Sequence, residues 1–289
     1  MMEVPMQIPP LLLPGDPEGW SPVTAGESGA TVLRDRTGEC YAKLVPAEQA
    51  DDLAGERDRI AWLDAAGVPV GAVLDWRSAD HGACLVTRAV AGVPADQLDA
   101  GTLWQAWPAI TDLVRQLHRI DATGCPFDRG LATMMSLART TVAQRRVQTE
   151  FLPEDLHDVP PAEILAGLEA ELPLRIEQER SEFVVCHGDL CLPNILVHAD
   201  TRKVSGLIDL GRLGRADPYA DIALLLANSR ETWPDEDAAR RADRAFADRY
   251  GTDLDRARQR FYLMLDPLTW PGVTPEDRGT GPARATDAV

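Results

Sequence analysis

Three shortages narrow the field before any motif is read. No apolar run approaches the roughly 20 residues that a bilayer-spanning helix needs, and Leu11–Leu13 is far too short. No basic region precedes that run, and Glu3 stands there instead, so the pattern of a signal peptide is also missing. Cysteine is scarce: Cys40, Cys84, Cys125, Cys186 and Cys191 are odd in number, scattered and without a CxxC. That disfavours both a disulfide framework and a zinc site, and the expectation is a cytoplasmic protein with reduced thiols and no membrane partner. Positive charge is short as well, with 29 Lys and Arg against 46 Asp and Glu for a formal net charge of −17. Such a surface repels nucleic acid and concentrates cations, so a cationic small molecule is a better expected partner than nucleic acid. A length of 289 residues allows one large domain or two smaller ones.

What is present centres on Phe183 to Asp221. Phe183–Cys186 is a short apolar run that reads as a buried strand and delivers the chain into a polar loop, His187 to Asn194. Ile195–Val197 and Val204–Ile208 are two further apolar runs around a turn at Asp200 and Thr201, so they read as a hairpin that brings Asp209 back toward Asn194. Three oxygen-bearing side chains, Asp189, Asn194 and Asp209, therefore converge. One amide and one carboxylate beside a triphosphate suit magnesium, which takes oxygen ligands and keeps some of its water. That assigns Asn194 and Asp209 to Mg²⁺ and leaves Asp189 free. His187, Asp189 and Asn194 stand in the HxDxxxxN spacing in which a kinase aspartate accepts the proton of the substrate hydroxyl. His187 is read as orienting the loop, and Cys191, which has no general base of its own, as packing.

Upstream, Thr31–Arg34 and Glu39–Val45 read as a hairpin preceded by the small-residue turn Gly26-Glu27-Ser28-Gly29. Glycines let backbone amides approach phosphate, which makes Ser28 and Gly29 candidates for the nucleotide, with Lys43 reaching the same charge from beneath. Leu53, Glu56, Ile60 and Leu63 fall on one helical face, so Glu56 sits within an apolar stripe and needs a partner. Lys43 is the obvious one, because kinases hold ATP phosphates with such a pair. Gly71–Asp75 and Ala83–Thr87 read as strands that complete a small sheet, and Arg88 to Pro94 reads as a hinge, with backbone near Thr87 and Ala89 facing the adenine. After the hinge the apolar spacing turns helical through Leu103, Trp107, Ile110, Val114 and Leu117, with Pro108 kinking that helix or opening a second one. His118 reads as a packed or capping residue. Asp221, ahead of the apolar run Ile222–Leu226, reads as a brace for the loop.

The expected fold class is therefore α+β, a protein-kinase-like two-lobed fold with a small antiparallel-sheet N-lobe and a larger, mainly helical C-lobe. The expected division is an extended or disordered arm over 1–19, a nucleotide-binding lobe over 20–90, a catalytic and substrate lobe over 91–270 and a disordered tail over 271–289.

With these residues in place, the chain resembles the aminoglycoside phosphotransferases through CHGDLCLPN and GLIDLGRLGRADPYADIA. Within that family GESG, LAGERDR, GVPA, FLPED, ELPLRIEQER and FYLMLDPLTW make it most like the streptomycin-phosphorylating branch. The resemblance covers roughly Trp20 to Trp270. It implies ATP and Mg²⁺ as cofactors, Asp189 as catalytic base, Asn194 and Asp209 on the metal, and Lys43 paired with Glu56 on the ATP phosphates. It further implies phosphorylation of an aminoglycoside, at the 3″-hydroxyl of streptomycin, with antibiotic resistance as the outcome; the sequence leaves the oligomeric state open, with a monomer favoured. An acidic pocket in the C-lobe is implied too, with Glu231, Asp235, Glu236 and Asp266 as candidates. Streptomycin carries two guanidinium groups, which pair bidentately with carboxylates as an ammonium cannot. Three rivals stay open: a protein kinase, disfavoured by the short stretch between Asp209 and Asp221; a kinase of choline, homoserine or a similar metabolite; and a nucleotide-binding pseudokinase acting as an interaction module.

Overall fold

The computed structural model describes residues 12–23 and 30–270. Its first layer is a five-stranded antiparallel sheet in the order β1-β2-β3-β5-β4. The strands are β1 (Trp20–Pro22), β2 (Thr31–Asp35), β3 (Cys40–Pro46), β4 (Val73–Ala79) and β5 (Gly82–Arg88). Alternation in β3 sends Ala42 and Leu44 to one face, into a small core with Leu33, Cys84 and Val86. Lys43 is thereby turned to the other face, toward helix α1 (Ala50–Ala65). Leu53, Glu56, Ile60 and Leu63 are the buried positions of α1, as their spacing requires.

Two readings shift here. The strand expected at Gly71–Asp75 begins at Val73 and runs on to Ala79. The segment expected as an arm apart from any core also needs correction over its described part, because Leu12 and Leu13 are 4% exposed and pack into the small core of the sheet. Prolines and glycines around that pair hid two leucines with a surface to cover. Residues 1–11 and 271–289 lie outside the described residues.

Helices dominate after the hinge: α2 (Ala100–His118), α3 (Leu131–Ala143), α4 (Pro161–Ser181), α5 (Tyr219–Asn228), α6 (Glu236–Tyr250) and α7 (Arg256–Leu265). Asp99, Asp235 and Asp255 cap α2, α6 and α7 by accepting from backbone amides in the first turn. Pro108 lies inside α2, which stays one helix, and α4 continues through Pro173. Two short sheets sit between the helices and the upper layer. In one, β7 (Val184–Cys186) pairs with β10 (Gly214–Ala216). In the other, β8 (Ile195–His198) lies between β6 (Val93–Pro94) and β9 (Lys203–Leu207). A single apolar core runs from α1 through α2 to α7, with Trp107, Phe246, Phe261 and Tyr262 nearly inaccessible. Among the described residues no helix is long and apolar enough to cross a membrane.

Candidate active site

The polar loop is built on a buried support. Val185 and Cys186 of β7 are wholly buried, and the chain leaves them through Gly188 at φ +81°. A side chain at Gly188 would meet both the strain of that conformation and the carbonyl of Arg212, so glycine is required. The His187 ring lies between two backbone groups: Nε2 donates to the Ile208 carbonyl at 2.9 Å and Nδ1 accepts from the Asp189 amide at 3.2 Å. Both nitrogens are thus spent on shaping the loop. Asp221 braces it from below, its carboxylate accepting from the amides of His187 at 2.7 Å and Gly188 at 2.8 Å. The side-chain oxygen of Asn228 in turn accepts from the Leu192 amide at 2.8 Å. Burial, reinforced by Asp189, pushes the Cys191 thiol well up, so it stays protonated and is no nucleophile.

Asn194 donates through Nδ2 to the Asp189 carbonyl at 2.8 Å, which leaves Oδ1 as the acceptor atom of its side chain. Asp209 follows β9 in the left-handed region, at φ 60° and ψ 59°, a strained conformation for a residue with a side chain. Lys43 spans the two lobes, with Nζ 2.8 Å from Glu56 and 3.0 Å from Asp209. Burial works against the Lys43 charge, but the two carboxylates outweigh it and hold the ammonium above its ordinary value. Burial likewise raises Glu56 despite Lys43, whereas Lys43 overcomes burial at Asp209 and lowers that carboxyl.

These groups edge a cavity of about 520 Å³ lined by Lys43, Glu56, Asn194 and Asp209 at one end and by Leu85, Leu196 and Leu207 as apolar walls. That size suits a small-molecule site. Hard oxygen donors at Asn194 and Asp209, beside the Lys43 ammonium, fit a magnesium-bound triphosphate. The hinge reading needs one correction: Thr87 lines the cavity, but Ala89 does not, and its amide is spent on the Glu39 carbonyl at 2.7 Å. Arg88 and Val90 line the cavity in its place. Ser28 and Gly29 lie outside the described residues.

Asp189 faces a second cluster. Arg212 lies 3.7 Å from its carboxylate and 3.6 Å from that of Asp266, with its guanidinium 5.3 Å above the Trp270 ring. Asp266 also pairs with Arg129 at 3.5 Å and accepts from the Trp270 indole at 3.1 Å. Burial raises the Asp189 carboxyl; Arg212 pulls it down and Asp266 adds to the rise. Phe151 stacks edge to face on Trp270 at 4.8 Å. Of the four acidic candidates, only Asp266 is brought beside Asp189. Asp235 is exposed and caps α6, and Glu236, also exposed, pairs with Arg230 and Arg240. Exposed Glu231 closes the turn that follows Asn228. Sequence reasoning missed Arg212, Arg129, Trp270 and Val90; GRLGR and LDPLTW contain Arg212 and Trp270, but only as strings of the resemblance, and no motif pointed to Arg129 or Val90.

Residues 19–261 match the family model described as "Phosphotransferase enzyme family". The chain is 59% identical over 251 residues to streptomycin 3″-kinase from Streptomyces griseus, covering 87% of this chain and 92% of that one. It is 38% identical to an aminoglycoside 3′-phosphotransferase from Streptomyces fradiae, over 86% of this chain and 94% of that one. Among solved structures, aminoglycoside phosphotransferase APH(3″)-Id from Streptomyces rimosus, in complex with ADP and streptomycin, superposes with a TM-score of 0.83 at 52% identity, covering 87% of this chain and 93% of that one.

Proposed function

The chain belongs to the phosphotransferase enzyme family, and from that premise we propose that it transfers the γ-phosphoryl group of ATP to the 3″-hydroxyl of streptomycin and so confers resistance to that antibiotic. The observation that carries the reading is that Asn194, Asp209 and the Lys43–Glu56 pair line one cavity, with Asn194 hydrogen-bonded to the backbone of Asp189 just outside that lining. The 59% identity to a streptomycin 3″-kinase supports the choice of acceptor.

In the proposed reaction Asp189 orients the acceptor hydroxyl and takes its proton as the new O–P bond forms and the bond from Pγ to the ADP oxygen breaks. Positioning and charge stabilisation supply most of the acceleration, as in other phosphoryl transfers. Asn194 Oδ1 and the Asp209 carboxylate would hold Mg²⁺, which supplies neutralising charge to the β- and γ-phosphates. Lys43, steered by Glu56, contacts the phosphates. The Arg88 and Ala89 amides are consumed internally, by the carbonyls of Ala72 and Glu39. The adenine edge therefore falls to the Arg88 carbonyl and the Val90 amide. On the acceptor side Asp266, with the Trp270 face beside it, is assigned to a substrate guanidinium. Glu231 stays a candidate through its closeness in sequence to Asn228, while Asp235 and Glu236 would first have to leave their present partners. Reduced cysteines and dependence on ATP make the cytoplasm the proposed location, and a monomer the proposed state.

The test is ADP release by purified protein with Mg-ATP against streptomycin, kanamycin, gentamicin, hygromycin, choline and no acceptor. Turnover with streptomycin alone is expected. Turnover with another acceptor would keep the catalytic assignments and remove the pocket assignment, and silence across the panel would overturn the enzyme reading.

A further inference from the structure

The catalytic loop is held from behind by a hydrogen-bonded file that phosphoryl transfer itself does not call for. Asp221, fully buried in the first turn of α5, accepts both loop amides, and its Oδ2 also lies 3.1 Å from Nε2 of His118, the last residue of α2. The other ring nitrogen, Nδ1, lies 2.7 Å from the hydroxyl of Tyr250, the last residue of α6. A carboxylate oxygen accepts, so Asp221 Oδ2 takes its hydrogen bond from His118 Nε2, while the Tyr250 hydroxyl, whose phenol burial raises, closes the file at Nδ1.

His118, Cys186 and Asp221 gather their ligand atoms within 4.8 Å, which on distance alone would suit a metal ion. The partners argue otherwise. Both Asp221 oxygens are occupied by amides, and the Cys186 thiol, pushed well up by burial, donates to the Asp217 carbonyl at 3.3 Å. The cluster is a brace.

The loop has close neighbours beyond its own residues. The Arg212 carbonyl occupies the space a Cβ on Gly188 would need, the Asp221 carboxylate holds the two loop amides, and His118 is hydrogen-bonded to that carboxylate in turn. The His118 ring stands edge on to Tyr250 at 5.7 Å, and the Tyr250 ring stacks on Phe246 at 5.4 Å. Removing the hydroxyl alone therefore leaves the ring packing in place.

We propose that His118 and Tyr250 are positioning residues for the transfer: acting through Asp221, they set the placement of the His187–Gly188 backbone and with it the reach of Asp189 toward the acceptor hydroxyl. The inference rests on Asp189 being the base. Misplacement by about 1 Å is enough to cost about 10²-fold in rate, so a file two side chains deep has leverage without touching substrate.

The experiment compares Tyr250→Phe, His118→Gln, His118→Leu and the Tyr250→Phe/His118→Leu double variant. Turnover is measured with saturating Mg-ATP and whichever acceptor the parent uses, and hydrogen exchange at the Gly188 amide is measured with no acceptor present. Tyr250→Phe is expected to lower kcat by about 3–10-fold and His118→Leu by about 30–100-fold, with KM for ATP within about twofold of the parent. His118→Gln, which keeps a donor for Asp221, should recover part of the loss. The double variant should match His118→Leu, because the hydroxyl acts only through the imidazole. Exchange at Gly188 should quicken in the same order. A folded Tyr250→Phe protein with parental kcat and parental exchange would overturn the proposal, as would a double variant whose losses multiply or kcat losses that only track the unfolded fraction. Because exchange needs no acceptor, a wrong choice of antibiotic leaves this test standing.

Discussion

The two sides of Asp189 are held differently. Toward the nucleotide, contacts are short and directional: Lys43 to Glu56 at 2.8 Å, Asn194 to the Asp189 carbonyl at 2.8 Å, and the Asp221 carboxylate to two loop amides. Toward the proposed acceptor side, the Arg212 guanidinium meets Asp189 and Asp266 only as loose ion pairs at 3.7 and 3.6 Å, and the shortest contact of the Asp266 carboxylate is the Trp270 indole at 3.1 Å. A phosphate-handling site can be assembled before its ligand arrives, because the charges it meets are the same in every turnover. An acceptor site that must admit a bulky cation gains from carboxylates whose present partner can give way.

The sharpest way to break this comparison is at the residue the two sides share. Asp189→Asn is expected to lower kcat by about 10³-fold while melting no lower than the parent, since burial already disfavours the charged carboxyl it replaces. In the parent, kcat/KM should fall on the acid side at a pH above the ordinary aspartate value, because Asp189 must be ionised to accept a proton and burial raises its pKa. A pH–rate profile that stays flat through that region would remove it as the base. On the nucleotide side, Lys43→Met leaves Glu56 and Asp209 without their common counterion. We expect a fall of about 10²-fold in kcat/KM for ATP with the acceptor KM little changed, and a dominant change in acceptor KM would contradict the division of the site.

The division also explains what the sequence made legible. Asp189, Asn194 and Asp209 lie on one loop and one hairpin, where chain order alone sets which side chains meet. Strand alternation gives the direction of Lys43, and the helical stripe gives that of Glu56. Asp266 and Trp270 stand four residues apart and meet locally, but Arg212 joins them only through tertiary packing, which nothing in local spacing announces. Ala89 and Val90 are neighbours whose roles depend on which amide the Glu39 carbonyl takes. Leu12 and Leu13 were masked by the prolines around them. His118 was read correctly as packed, but its partner Tyr250 lies 132 residues away.

On the acceptor side the expected effects are smaller. Asp266→Asn should raise the acceptor KM by about 10-fold and leave the ATP KM unchanged, in line with the loss of one charge-assisted pair. Trp270→Leu removes the ring face together with its indole hydrogen bond to Asp266 and leaves every carboxylate in the sequence, and about 3–5-fold is expected from the loss of a partly exposed cation–π contact and one neutral donor. Steady-state kinetics with each substrate varied in turn decide both. Equal changes in the two KM values would mean that this cluster serves the fold rather than the acceptor.

The smallest effect tests whether the buried acids of the C-lobe all belong to the site. Glu179 is buried on α4, accepts from the Leu131 amide at 2.7 Å at the start of α3, and has its carboxyl raised to about 7. Burial is the main cause, the Leu131 amide opposes it, and the nearby Asp217 adds to the rise. A carboxyl whose pKa is higher folded than unfolded binds its proton more tightly in the native state. Its contribution is therefore fully present below the ordinary value of 4.5 and is lost as pH climbs toward about 7. Glu179→Gln keeps an acceptor for Leu131 and has no charge to bury. Its melting temperature should exceed the parent's at pH 8 by a few degrees, roughly what about 1 kcal/mol yields in a protein of this size, and the gap should close by pH 5 with kcat unchanged at both. A variant that lost turnover while gaining stability would move Glu179 out of the scaffold and into the site, and would redraw the boundary between the rigid half and the yielding one.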